Sequence, residues 1–174
     1  MSARVPDPHL SAWRAVLETH ASVVARIEAA LAEADLPPLA WYDVLWALRR
    51  APGRRVRMAE LAGSLTLSRG GLTKLADRLE AAGLLRREPT EDDGRGLYAA
   101  LTEAGEEMLR RMWPVYSRVL RETFVQAISV DEAAVIAAGL DRAKAAASAR
   151  PRRSGRTKGA AVRRRQRRTP YERP

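Results

Sequence analysis

Between residues 10 and 31, Leu10, Trp13, Leu17, His20, Val24, Ile27 and Leu31 recur at alternating spacings of three and four. That period predicts one long helix with a single apolar face. Pro37 and Pro38 close it, because neither can continue a helical ladder. A second helix is expected from Trp41 to Arg50 and a short third one near residues 58–65. Ser68 is placed to cap a fourth, in which Leu72, Leu75, Ala76 and Leu79 form the buried face. Gly70, Thr73, Lys74 and Asp77 then fall on the opposite, exposed face, and Gly83 supplies the stop.

Two strands follow in the pattern, "LLRRE" and "GLYAAL", joined by the long turn "PTEDDGR". Thr102 caps a fifth helix with a stripe of Leu109, Met112, Trp113, Tyr116, Leu120 and Phe124, and Pro114 inside it predicts a kink or local break. Ser129 and Glu132 form a capping box that opens a sixth helix to about Ala147. From Arg150 onward no apolar period remains, and the tail is expected to be disordered.

Helix, helix, helix, hairpin is the order of a winged helix-turn-helix. The fold class expected is therefore mainly α: a three-helix core with a β-hairpin wing, flanked by N- and C-terminal helices. The expected divisions are 1–36 for the N-terminal helix, 37–101 for the winged lobe, 102–148 for the C-terminal helices and 149–174 for the tail. At the wing tip one cation, Arg95, stands between Gly94 and Gly96 in an acidic turn. A cation there suits the concentrated negative potential of a narrow DNA minor groove.

Composition narrows the function. The net charge is +10, yet the last 25 residues hold eleven of the 31 Lys and Arg and one of the 21 acids. The first 149 residues thus carry twenty charges of each sign, so the folded body has to act through locally placed charge. Cysteine is absent and there are only two histidines, His9 and His20. Thiolate metal sites and disulfides are excluded, and no metal or cofactor is expected. No apolar run reaches membrane-spanning length and the first residues lack a secretory pattern, so the expectation is a cytoplasmic protein. No nucleophile with its base, phosphate-cradling loop or metal quartet stands out, so an enzyme is not expected.

With "WYDVLWALRRAPG" at 41–53, "LSRGGLTKLADRLEAAGLLRRE" at 67–88 and "DGRGLYAALTEAG" at 93–105, the chain resembles the MarR (multiple antibiotic resistance regulator) family of bacterial transcription factors. The last segment carries that family's Asp-x-Arg wing signature as Asp93 and Arg95, followed by its Leu-Thr-x-x-Gly step. The resemblance covers about residues 10–147. It implies a homodimer whose terminal helices interlock and which presents two winged helices to a pseudo-palindromic operator, most often as a ligand-responsive repressor. The apolar faces of the first, fifth and sixth helices agree, being larger than one small lobe can cover.

For the major groove the candidates are Ser68, Arg69, Gly70, Thr73 and Lys74, since Arg or Lys can donate to guanine and a Thr methyl can pack on thymine. Arg78 is assigned to phosphate or the wing, Arg86 and Arg87 to phosphate, and Arg95 to the minor groove. Asp93 is expected to fix the wing turn rather than touch DNA. Arg54, Arg55 and Arg57 either add phosphate contacts or stand on a plainly solvated strand.

The resemblance also implies a site for a small aromatic or phenolic effector between the dimer helices and the winged lobe. Trp13, His20, Trp41, Asp43, Trp46, Met112 and Tyr116 are its candidates; ordinary core packing is the alternative. The urate-responsive branch of the family has an arginine where this chain has Leu75, which argues against urate. The rival function is a non-specific, architectural nucleic-acid binder working through the basic tail. A winged helix kept only as a protein-interaction module is disfavoured by the polar groove face and Arg95.

Overall fold

A computed structural model of the chain describes residues 5–65, 69–89 and 96–149. Helix α1 (Asp7–Glu33) is followed by α2 (Leu39–Arg50), a 3-10 turn (Pro52–Arg54), strand β1 (Arg55–Arg57), α3 (Met58–Ser64) and α4 (Arg69–Ala81). Strands β2 (Leu85–Pro89) and β3 (Leu97–Leu101) come next. Then α5 (Glu103–Leu120) runs into a π-helical turn (Arg121–Val125), and α6 (Val130–Ser148) ends the described chain. The winged-helix order expected from the pattern is present, mainly helical with one small sheet.

Helix α1 stops at Glu33, four residues before the first of the prolines expected to end it. Asp35 takes a left-handed conformation (φ 52°), and the Leu36 N–H returns to the Leu31 carbonyl at 2.9 Å. Glu28 then reaches forward to accept the free Leu39 N–H at 3.2 Å, which satisfies an orphan donor in the first turn of α2. Gly83 ends α4 as expected, with φ 71° and the Leu84 N–H bonded to Leu79 O at 2.9 Å.

β3 lies between β1 and β2, antiparallel to both. Register decides which residues share a face. Val56, Ala99 and Arg87 form one row, and Leu85 faces Leu101 on that same side. Arg55, Ala100 and Arg86, then Arg57, Tyr98 and Glu88, form the rows of the other side. Leu85, Ala99 and Leu101 are buried, so the first face closes on the helices; it joins Leu45, Leu48, Leu61, Leu72, Leu79, Leu109 and Met112 in the core.

At α5 the Thr102 side chain accepts the Gly105 N–H at 3.0 Å, confirming the expected cap. At Pro114, where a kink or a local break was expected, there is no break. Helical structure runs through it to Leu120, and the widened turn comes seven residues after the proline, where the Gln126 N–H bonds Arg121 O at 3.1 Å. Glu106 is the most enclosed acid of α5, 13% exposed, with Arg49 at 3.3 Å and Arg54 at 3.7 Å; it ties α5 to the end of α2.

The outer half of α1 leaves Leu10, Trp13 and Leu17 about half exposed, whereas Ile27, Ala30 and Leu31 are buried. Helix α6 is a separate unit and has no buried residue; Val130, Val135, Ile136 and Leu140 are open. No single helix among the described residues is long and apolar enough to cross a membrane.

Candidate nucleic-acid interface

Helix α4 has the two faces its period predicts. Leu72, Ala76 and Leu79 are sealed in the core and Leu75 is half-buried, while Gly70, Thr73, Lys74, Asp77 and Arg78 are exposed. A Cβ placed on Gly70 would meet nothing within 4 Å, so the start of the helix offers open space to a ligand's backbone. Arg69 opens the helix. Ser68, Asp93 and Arg95 lie outside the described residues, as does the tail beyond residue 149.

The two wing arginines part company. Arg86 is on the outer face of the sheet and donates to Glu88 at 2.6 Å, with Arg55 on the same carboxylate at 3.7 Å. Arg87, expected to grip phosphate, instead faces α4. Its guanidinium donates to Asp77 at 2.6 Å and to the Thr73 carbonyl at 3.3 Å, and it pairs with Glu80 at 3.1 Å. The physical reason is pleat: in β2 neighbouring side chains point to opposite faces, and register puts Arg87 beside Ala99 on the inner one. A guanidinium committed to two carboxylates has little left for phosphate.

Arg55 and Arg57 also stand on the outer face, with their guanidiniums 4.9 and 5.6 Å from the Tyr98 ring centre; the Arg57 Nε donates to the Tyr98 hydroxyl at 3.4 Å. They therefore dress an aromatic ring on a half-solvated strand.

Of the expected effector residues, Met112 is wholly buried and belongs to the core. The apolar stripe of α5 could not distinguish a side chain that lines a crevice from one that fills the core. Trp46 and Tyr116 instead belong to a stacked aromatic group with Tyr42 and Trp113. Tyr42 and Tyr116 are 4.8 Å apart, and Trp46 and Trp113 are 6.4 Å apart and nearly parallel. Trp46 and Trp113 keep an exposed side, Arg49 lies 5.5 Å from the Trp46 ring centre, and Trp41 packs against the core. Trp13 and His20 are exposed on α1.

Asp43 feels both Glu28 and His20. Its carboxyl is raised above the usual range first by partial desolvation and then by Glu28, with His20 partly offsetting them, while the side chain keeps an exposed side. Tyr116 is raised by burial and by Asp43. Glu28, Tyr42 and Trp113 thus join this neighbourhood, and no signal in the sequence marked Glu28, whose link to Asp43 depends on how α1 packs on α2. Two open hollows, of about 470 Å³ beside Glu18, Arg26 and Glu122 and about 590 Å³ beside Arg54, Glu103 and Arg110, are lined by none of the expected effector residues.

Known proteins give this geometry a context. Residues 34–96, spanning α2 to the wing, match the family model described as MarR family. The Escherichia coli (strain K12) transcriptional repressor MprA is 33% identical over 91 residues, which are 52% of this chain and 51% of that protein. The chain spans about half the length of the curated relatives it matches. Among solved structures, AbsC from Streptomyces coelicolor, a MarR family transcriptional regulator, superposes with a TM-score of 0.73 at 29% identity. That match covers 84% of this chain and 98% of AbsC. Sco3205 from the same organism, a MarR family regulator solved in complex with DNA, gives a TM-score of 0.76 at 26% identity, covering 86% and 93%.

Proposed function

We propose that this chain is a member of the MarR family and a dimeric, sequence-specific DNA-binding transcriptional regulator of the cytoplasm, acting as a ligand-responsive repressor rather than as an enzyme. The observation that carries this is α4. One face is locked into the core and the other presents Gly70, Thr73, Lys74 and Arg78 to solvent, in a lobe built like that of a regulator solved on DNA. Thr73 and Lys74, with Ser68 and Arg69 at the helix start, read the major groove, and Arg95 enters the minor groove while Asp93 holds the turn. Arg78 and Arg86 serve phosphate.

The half-exposed Leu10, Trp13 and Leu17 of α1 support dimerisation, and so does the open apolar series of α6, because surfaces of this kind are covered by a second copy in two-fold assemblies. The small aromatic effector is seated near Trp13, His20, Trp41, Asp43, Trp46 and Tyr116, with Met112 behind them as core.

The test is selection from a random duplex library by the purified full chain, with its mass measured in parallel by light scattering. Enrichment of an inverted repeat with half-sites about one helical turn apart, by a particle of two chains, is the expected result. Equal affinity for selected and scrambled duplexes would refute it and favour the architectural alternative acting through the tail.

A further inference from the structure

We propose that Arg87 is a positioning residue: by fastening α4 to the wing it sets the angle at which the two DNA-reading elements are presented, so that discrimination between sequences depends on a side chain that touches no base. This rests on the DNA-reading role proposed above for α4 and the wing.

The acceptors of Arg87 are Thr73 O, Asp77 and Glu80. Positions 73, 77 and 80 lie four and three residues apart, which is one stripe along two turns of α4. A single guanidinium therefore grips the helix at three levels, and the Arg87 backbone N–H adds a fourth tie, to Glu80 Oε1 at 2.9 Å. The side chain is 21% exposed against 61% for Arg86 next to it, so one arginine is held in a seam and the other faces water.

Both ends of the seam matter for reading. Thr73 and Lys74 occupy the turn of α4 where the guanidinium meets the Thr73 carbonyl. Arg87 itself sits in the middle of β2, two residues before Pro89, where the strand hands over to the segment that carries Arg95. Charge points the same way. Asp77 stands exposed on the α4 face offered to DNA, where a lone carboxylate would repel phosphate, and Arg87 at 2.6 Å cancels it. The planar fork spreads its donors over two nitrogens, Nη2 toward Thr73 O and Asp77 and Nη1 toward Glu80; the single nitrogen of an ammonium lacks that span.

The experiment compares the full chain with Arg87→Ala and Arg87→Lys, measuring affinity for the selected duplex and for its scrambled counterpart across a salt series. The ratio of the two affinities is unaffected by the folded fraction, so a purely stabilising role would leave it unchanged. For Arg87→Ala the expected result is a fall in that ratio of about tenfold, the worth of one well-placed base contact. The log–log salt slope should stay as in wild type, and Arg87→Lys should fall between the two.

A salt slope lower by about 0.9 with the ratio kept would make Arg87 a phosphate contact and overturn the proposal. An unchanged ratio with an unchanged slope would overturn it too. If Arg87→Ala does not fold, the double change Asp77→Asn with Glu80→Gln decides. It releases the guanidinium while keeping side-chain shape, and the ratio should fall while the slope stays or steepens. A ratio preserved there overturns the proposal. A wild-type protein that prefers no duplex overturns the DNA-reading role, and this inference with it.

Discussion

Among the described glycines Gly105 is the most tightly enclosed, and adding one methyl there has a cost that can be worked out. It lies in the first turn of α5, where the β3–α5 junction meets the segment that follows α4. The Thr102 hydroxyl donates to Gly83 O at 2.7 Å, the Thr102 N–H bonds Leu84 O at 3.3 Å, and the Gly105 N–H returns to Thr102. A Cβ on residue 105 would collide with the Leu84 carbonyl oxygen and stand 2.7 Å from Leu101 Cδ1. The carbonyl is tied in place by the Thr102 N–H, and its residue is anchored further by the Leu84 N–H, which bonds Leu79 O at 2.9 Å.

Helix α5 must therefore step back from the wing. Overpacking costs about 2 kcal/mol. Losing the two hydrogen bonds to Gly83 and Leu84 adds about 1 kcal/mol each. The better helix propensity of alanine returns about 1 kcal/mol. Gly105→Ala should then destabilise by about 3 kcal/mol, which for a chain of this size lowers Tm by roughly 6–12 °C. Calorimetry at one fixed protein concentration measures it, since a dimer's Tm shifts with concentration. Gly63→Ala is the control: its Cβ would meet nothing within 4 Å, and Tm should hold or rise slightly. A Gly105→Ala protein melting at or above wild type would refute the reasoning.

Three further outcomes are expected. Tyr42, whose hydroxyl is pushed up to about 12, first by burial and then by Tyr116 against the opposing Arg49, stays neutral in the fold while the unfolded phenol ionises near 10. Stability is therefore lost as pH rises from about 10 to 12, and Tyr42→Phe should lose less; equal urea-midpoint losses between pH 8 and 11 would contradict this. Arg95→Ala should weaken binding to the selected duplex by about 1–3 kcal/mol with dimer and fold intact, and an unchanged Kd would remove the minor-groove role. Truncation after Ser148 should weaken binding to all DNA at low salt and flatten the salt slope by about 0.9 per engaged cation, with sequence preference kept; identical slopes would leave the tail without phosphate contacts.

Some of this was legible in the residues and some was not, for definable reasons. The two faces of α4 follow from period alone, because four apolar positions at helical spacing leave the polar ones opposite. Gly105 stood in the Leu-Thr-x-x-Gly step, but only the approach of the Leu84 carbonyl explains it. Arg86 and Arg87 could not be told apart beforehand: alternation requires one to face in and one out, and which one is set by pairing with β3. Asp43 was marked as an effector candidate by its position, whereas the groups that shift its carboxyl, Glu28 and His20, come from another helix. Pro114 pointed to a kink or a local break because its ring removes a helical donor, yet no break occurs and the helix runs through it.

The order of the small sheet has a further consequence, for how these molecules behave when many crowd together. β3 is paired on both sides, so the exposed backbone edges belong to β1 and β2. β1 is only three residues long and places arginine at both ends, and β2 finishes at Pro89, which has no N–H to offer a neighbouring chain. Short edges, like charge and a proline are the features that stop one sheet from growing onto another. The sheet can thus stand at the surface of many crowded molecules without those of neighbours zipping together into a continuous one.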